Sequence, residues 1–252
     1  MKKIMRGIVI AAALASSAFQ AEAETFRVVS PDKSVEAVLT PEKGNFNVTI
    51  LYKGKVVVKD AVFAVATENA RFGGAPAPYS LDRRYRHNAA DPKENFNQIE
   101  FNATDLGYRF IMRAYDDAFA CRFYAYYGAK TFDVYEDIVK ITPAEGGRAV
   151  VGKTVLAEIS AGGARAIFAE SENGGYPALA LKADKNALVS NFKKLKNPAS
   201  DEPDIAAQPA GRARLPWRFF AFASDNETPA SVDSVAKRLS EKNPEPDTAK
   251  LP

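Results

Sequence analysis

Alternation with a period of two runs through most of this chain and constrains its fold more than any other feature. Residues 45–52 read Asn-Phe-Asn-Val-Thr-Ile-Leu-Tyr, with Phe46, Val48 and Ile50 on one side. An extended strand sends successive side chains to opposite faces, so such a run buries one face and turns the other outward. The pattern recurs along the chain. Thr25–Val29 is short and β-rich, and Ser34–Thr40 alternates around Val35, Ala37 and Leu39. Lys55–Lys59 carries three consecutive valines after Gly54, and Ala61–Thr67 continues the rhythm. Asn95–Thr104 places Ile99, Phe101 and Ala103 together. Leu106–Tyr115 and Ala118–Tyr126 are two long predicted strands. Asp116-Asp117 joins them as a tight turn, because Asp bonds its own backbone and tolerates the dihedrals. Lys130–Ile141, Arg148–Leu156, Ala164–Ala169, Tyr176–Lys182 and Leu215–Ala223 complete the expected strands.

Breakers separate these runs. Phe72 to Pro92 reads as loop, and so does the proline-punctuated stretch Pro198 to Pro209. One helix is expected near the end. Thr228 can cap it with Pro229 at its first position, and Val232, Val235, Ala236 and Leu239 fall on one stripe. No internal repeat and no second domain is visible. Many strands joined at short intervals and one terminal helix predict an all-β fold, a large antiparallel β-sandwich.

The first residues bear on compartment. Lys2, Lys3 and Arg6 precede the apolar run GIVIAAALASSAF, and Ala21-Glu22-Ala23 offers the small residues a signal peptidase reads. Residues 1–23 are therefore expected to be a signal peptide cleaved after Ala23, giving a periplasmic or secreted chain without membrane insertion. The sandwich domain is expected over residues 24–243, with a flexible tail at 244–252. Removing residues 1–23 takes Lys2, Lys3, Arg6 and Glu22 from totals of 34 basic and 31 acidic residues, which leaves a nearly neutral chain. Near-neutrality argues against nucleic acid as partner. Cys121 is the one cysteine, so no internal disulfide can form, and its alternating apolar run makes it a core thiol. His87 is the one histidine and lies in the polar stretch Asp82–Asn88, read as an exposed loop. Any Ser-His-Asp, Cys-His or multi-histidine metal site would have to use it. No phosphate-cradling or dinucleotide glycine motif is present.

Three stretches carry a resemblance. The first is Asn95-Phe-Asn-Gln-Ile99 with the Arg109–Tyr124 hairpin and its Tyr-Asp-Asp turn. The second is Ala169-Glu170-Ser-Glu-Asn-Gly-Gly-Tyr176-Pro177-Ala178, leading into Leu179–Lys182. The third is Leu215-Pro216-Trp217-Arg218-Phe219, followed by a strand and a short helix. In this order they resemble the N-terminal domain of glycoside hydrolase family 97. The resemblance implies a galactose-mutarotase-like supersandwich, the part that precedes a (β/α)8 catalytic barrel in exported, calcium-using α-glucosidases and α-galactosidases. The chain departs from that pattern in three ways. It ends soon after the helix, where the barrel bearing the family's catalytic acids would begin. Arg83–Asn88 replaces a tryptophan-bearing segment. Ala144–Gly163 carries no aromatic residue where the family has a long aromatic insertion.

Candidate residues follow. Glycosidases need two carboxyls flanking a bound sugar, separated by several ångströms. Adjacent Asp116 and Asp117 point apart in a turn and are expected to be solvated, with nothing to raise either pKa. Glu170, six residues before Tyr176, matches a position where the family's domain supplies a glutamate to calcium at the barrel mouth. Calcium takes six to eight oxygens. Glu170 cannot furnish these alone, even with Glu172 and Asn173 nearby, so calcium is expected to bind weakly or not at all. Glu170 reads otherwise as an exposed loop acid. Trp217 can stack on a sugar or fill the core, and its strand-leading context favours the core. Arg218 is expected to bond backbone carbonyls or a nearby acid. Lys193, Lys194 and Lys196 read as a solvated strand edge. Among Tyr124, Tyr126 and Tyr127 some rings are expected outside. The expected function is a non-catalytic, carbohydrate-associated module whose partners are α-linked glycans. The alternatives are the N-terminal part of a split α-glycosidase that needs a separate barrel chain, and a remnant that binds nothing.

Overall fold

Strands dominate the computed structural model. It describes residues 24–240 apart from 43, 68–70, 74–78, 104–106, 127–133, 172–175, 177, 192–194, 197–202 and 205–211. The expected signal peptide with its cleavage point, the tail, Glu172, Asn173, Tyr127, Lys193, Lys194 and most of Pro198–Pro209 lie outside the described residues. In chain order the strands are β1 (Phe26–Val29), β2 (Val35–Glu42), β3 (Asn45–Tyr52), β4 (Lys55–Thr67), β5 (Arg71–Phe72), β6 (Ser80–Arg86), β7 (Phe96–Ala103), β8 (Tyr108–Tyr115), β9 (Ala118–Tyr126) and β10 (Val134–Pro143). They continue as β11 (Arg148–Val151), β12 (Ala157–Ala161), β13 (Ala164–Glu170), β14 (Leu181–Asp184), β15 (Ala187–Ser190), β16 (Leu195–Lys196), β17 (Pro203–Asp204), β18 (Arg212–Arg214) and β19 (Arg218–Ser224). The helix α1 (Val232–Leu239) follows.

Two large antiparallel sheets result. The first runs β1-β2-β3-β4-β10-β15-β14 with β5 beside β4, and the second β11-β12-β13-β19-β9-β8-β7-β6 with β18 beside β9. Strands β16 and β17 form a separate small pair. The sheets face each other through the alternating apolar sides. Phe46 of β3 stacks on Phe110 of β8 at 4.5 Å, and Tyr52 stacks on Phe222 of β19 at 5.6 Å. Phe101, Phe110, Met112, Phe119, Cys121 and Phe123 lie in the same buried layer. Burying each such side chain contributes about 1.5–3 kcal/mol. The all-β sandwich and the core placement of Cys121 are borne out.

Several details differ from the sequence reading: Ala157–Ala161 is an additional strand, the strand expected over Arg148–Leu156 ends at Val151, and the one expected over Tyr176–Lys182 starts at Leu181. Lys55–Thr67 is one strand rather than two, because register shifts against β3 near Val57 and Lys59–Asp60 let the valine run remain paired. Ser80–Arg86, read as loop, is a full strand paired to β7 from Ser80↔Asn102 to Arg86↔Phe96. It lies at the sheet edge, where both faces are partly exposed, so it has no apolar alternation to read. Ala187–Ser190 is a strand that pairs both β10 and β14. The helix is capped by Ser231, not Thr228: the Ser231 side chain accepts from Ser234 N–H at 3.3 Å from an extended backbone. Starting there still places Val235 and Leu239 on the second sheet, with Tyr115, Ala118, Phe219 and Ala221. Gly162-Gly163 forms the turn between β12 and β13. Both glycines have positive φ, and a Cβ at Gly162 would meet the Val56 carbonyl oxygen at 2.6 Å.

Candidate functional site

Strand register decides which polar residues meet. Glu170 ends β13 directly opposite Arg218, the first residue of β19. On the other side Arg218 lies opposite Cys121 of β9, so its side chain enters the space between the sheets. Asp137 comes from β10 in the facing sheet. The Arg218 Nη2 donates to Asp137 Oδ2, and its Nε donates to Glu170 Oε1 at 3.2 Å. The Tyr176 hydroxyl donates to the same Asp137 oxygen at 2.9 Å, and Leu179 N–H donates to Glu170 Oε2 at 2.9 Å. The side chains of Arg218, Asp137 and Glu170 are 4%, 1% and 7% exposed. A guanidinium therefore clasps the two sheets together through two carboxylates. Charges this deep persist only when paired and hydrogen-bonded.

Electrostatics follow from burial. Burial raises the Glu170 pKa above the usual carboxylate value, with Arg218 and the Leu179 N–H opposing. Burial works against the Arg218 charge, but Asp137 and then Glu170 overcome it and raise its pKa. Burial and the Asp137 carboxylate hold Tyr176 well above its ordinary value. Burial also pushes the Cys121 thiol up, as its core placement requires.

Glu170 is thus not an exposed loop acid. It sits in the second sheet because the residue opposite it is an arginine whose charge it neutralises. Arg218 does bond nearby acids, as expected. Both Glu170 oxygens are engaged, and the adjacent cation is a guanidinium, so the described residues do not fit calcium in this arrangement. Among the described residues no group of three or more His, Cys, Asp or Glu converges on one point.

Asp116 and Asp117 form the β8–β9 turn and do point apart. Asp116 Oδ1 accepts Asp32 N–H at 2.9 Å, which ties this turn to the turn between β1 and β2. Asp117 takes both guanidinium ends of Arg238, at 2.7 and 3.2 Å. They are half-buried rather than solvated. Asp116 is raised above its usual pKa, first by burial and further by the Asp32 and Asp117 carboxylates. His87 is exposed, as expected, with Asn95 Nδ2 at 3.5 Å from its Nδ1.

The sequence reading missed a second arrangement, on the outer face of β6–β9. Residues Arg84, Gln98, Arg113 and Ala120 form one cross-strand row there, and Asp82, Glu100, Ile111 and Arg122 form the next. Glu100 accepts from Arg109 Nη1 at 2.7 Å and pairs with Arg84 Nε at 3.2 Å. Gln98 donates to Glu100 at 2.6 Å and accepts from Arg113 Nε. The arginines also stack. Arg113 lies 4.5 Å from the Phe96 ring centre and 4.7 Å from that of Trp217, and Arg122 lies 4.4 Å from the Trp217 ring. Arg109 lies 5.8 Å from the Tyr124 ring. Trp217 is 3% exposed and so belongs to the packed interior, but its Nε1 has no hydrogen-bond partner. The alternation of Gln98, Glu100 and Asn102 against Ile99, Phe101 and Ala103 was the signal for this face.

No protein-family model and no curated protein matches the chain. Solved structures do match it. A glycoside hydrolase family 97 enzyme from Pseudoalteromonas sp. strain K8, in complex with acarbose, superposes with a TM-score of 0.61 at 13% identity. The match covers 79% of this chain and 35% of that one. A family 97 enzyme from the same strain in complex with panose gives a TM-score of 0.59 at 12% identity, with the same coverage. A β-arabinopyranosidase gives 0.57 at 13% identity, covering 79% of this chain and 40% of its own. This chain therefore spans between a third and two-fifths of the length of these enzymes, and over that span it shares the fold that the resemblance implied.

Proposed function

We propose that this chain is an exported, non-catalytic, carbohydrate-associated β-sandwich module. The observation that carries the reading is the likeness of nearly the whole sandwich to part of solved glycoside hydrolases. The engaged state of its acids supports the non-catalytic half. Asp137 and Glu170 are spent on a buried guanidinium, and Asp116 and Asp117 diverge onto separate partners. Neither pair leaves space for a sugar between two carboxyls, as glycoside hydrolysis requires. Export rests on the basic start and apolar run of residues 1–23, with residues 24–243 as the working module. Among the described residues no helix is long and apolar enough to cross a membrane. Calcium is not required in this reading.

A docked barrel chain is the second reading. Such a surface would be broad and apolar. Among the described residues, the large apolar side chains left exposed are Val56 and Val151, which favours the glycan reading. Calorimetric titration of the full chain with α-gluco- and α-galacto-oligosaccharides tests it. Saturable heat at millimolar sugar is the expected result, and silence across the panel overturns the carbohydrate half. Hydrolysis of nitrophenyl α-glycosides, lost when one carboxylate is neutralised, overturns the non-catalytic half.

A further inference from the structure

We propose that the outer face of β6–β9 binds the carboxylates of an acidic α-linked glycan, a galacturonan-type chain. The inference rests on the carbohydrate reading above and names the ligand class for it. Charge is the first observation. Among the described residues, Arg84, Arg109, Arg113 and Arg122 share this face with the acids Asp82 and Glu100. Glu100 already serves Arg84 and Arg109. Asp82 accepts from Asn102 at 3.0 Å. No carboxylate among the described residues pairs with Arg113, whose polar neighbours, Gln98 and Tyr115, are neutral.

Shape is the second observation. Neutral sugars are commonly held by aromatic ring faces. Here the Phe96 and Trp217 rings are covered by Arg113 and Arg122 and are 2% and 3% exposed. Stacking uses the flat face of a guanidinium and leaves its N–H edge directed away from the ring. Ring contact also fixes the long side chain, so little rotamer entropy remains to be lost on binding. What Arg113 offers is a fixed donor edge, which matches the planar, bidentate geometry of a carboxylate. Trp217, just before β19, is buried beneath Arg113 and Arg122, and its Nε1 has no partner. A guanidinium with no carboxylate partner among the described residues, beside covered rings, selects an acceptor-rich anion over a neutral pyranose.

The test titrates the full chain with tetragalacturonate, its methyl ester and maltotetraose at low salt. The ester keeps the sugar ring and removes the charge. Tetragalacturonate is expected to bind at least about tenfold more tightly than the ester, with affinity falling as salt rises. Arg113→Gln is expected to weaken it about tenfold. Arg84→Gln, at the rim, serves as a second variant should Arg113→Gln melt early. Arg27→Gln, in the opposite sheet where Arg27 pairs with Glu36, is expected to leave binding unchanged. Equal binding of acid and ester, or binding of maltotetraose alone, overturns this inference and leaves the carbohydrate reading standing. Binding that survives both Arg113→Gln and Arg84→Gln overturns the assigned face. No binding of any saccharide removes both readings, and capture of dextran sulfate or DNA as tightly as galacturonate shows a general polyanion surface and overturns the inference.

Discussion

Arg218→Met removes the cation from between two buried carboxylates, and its cost can be worked from the geometry. Methionine fills a similar volume, so the packing loss is small. What remains is Asp137 at 1% and Glu170 at 7% side-chain exposure, without their counterion. Breaking a buried pair by removing one partner costs about 3–5 kcal/mol. Tyr176 and Leu179 still donate to the two acids and offset part of this, at about 1 kcal/mol each. The expected loss is therefore about 3–4 kcal/mol near neutral pH, against a total stability of about 5–15 kcal/mol. The cost has a pH dependence of known sign. Burial already raises the folded-state pKa of Glu170 above its ordinary value, and Arg218 opposes that rise. Without Arg218 the rise is larger. A group whose pKa is raised on folding contributes stability below its unfolded pKa and loses it as pH climbs through the folded value. The variant should thus be least impaired near pH of about 4, the unfolded Glu value, and increasingly impaired toward neutrality. Urea unfolding followed by Trp217 fluorescence, at both ends of that window, reads the effect. A second variant, Arg218→Met with Asp137→Leu and Glu170→Met, should recover most of the loss, since an apolar replacement of the whole cluster strands no charge. A loss below about 1 kcal/mol, or an equal loss at both pH values, would refute the clasp as described.

Glu170→Gln keeps an acceptor for Leu179 N–H but removes the charge facing Arg218; its destabilisation should be about 1–3 kcal/mol near pH of about 4 and shrink toward neutral pH, where the raised folded-state pKa of Glu170 already lowers the stability of the native chain, measured by paired denaturation curves. Trp217, the sole tryptophan, should emit at the short wavelengths of a buried indole, resist acrylamide quenching and shift red in urea; ready quenching of the native chain would contradict its placement between Arg113 and Arg122. Gly162→Ala should lower stability by about 1–3 kcal/mol, because φ is +63° and the added methyl meets the Val56 carbonyl at 2.6 Å; an unchanged melting temperature would count against the tight turn.

The period-two pattern of residues 45–52 and 95–126 determined the strands, their inward faces and the sandwich class. That information is local: a strand's side chains alternate whatever it pairs with. The same local logic failed at Ser80–Arg86, where an edge position removes the need for apolar residues, and at the helix cap, where two serine or threonine candidates lie within one turn. The grouping of polar residues was beyond the sequence. Asp137 and Arg218 lie 81 positions apart and Tyr176 lies 39 from Asp137. Only the order β13-β19-β9, with β10 in the facing sheet, brings them to one point. The alternation places Gln98, Glu100 and Arg113 on outward faces, but only the register that sets Gln98 opposite Arg113, and the return of Trp217 over both arginines, makes them one surface. Side-chain direction is fixed within each strand by backbone geometry, whereas neighbours across strands are fixed by which long-range pairings close the core.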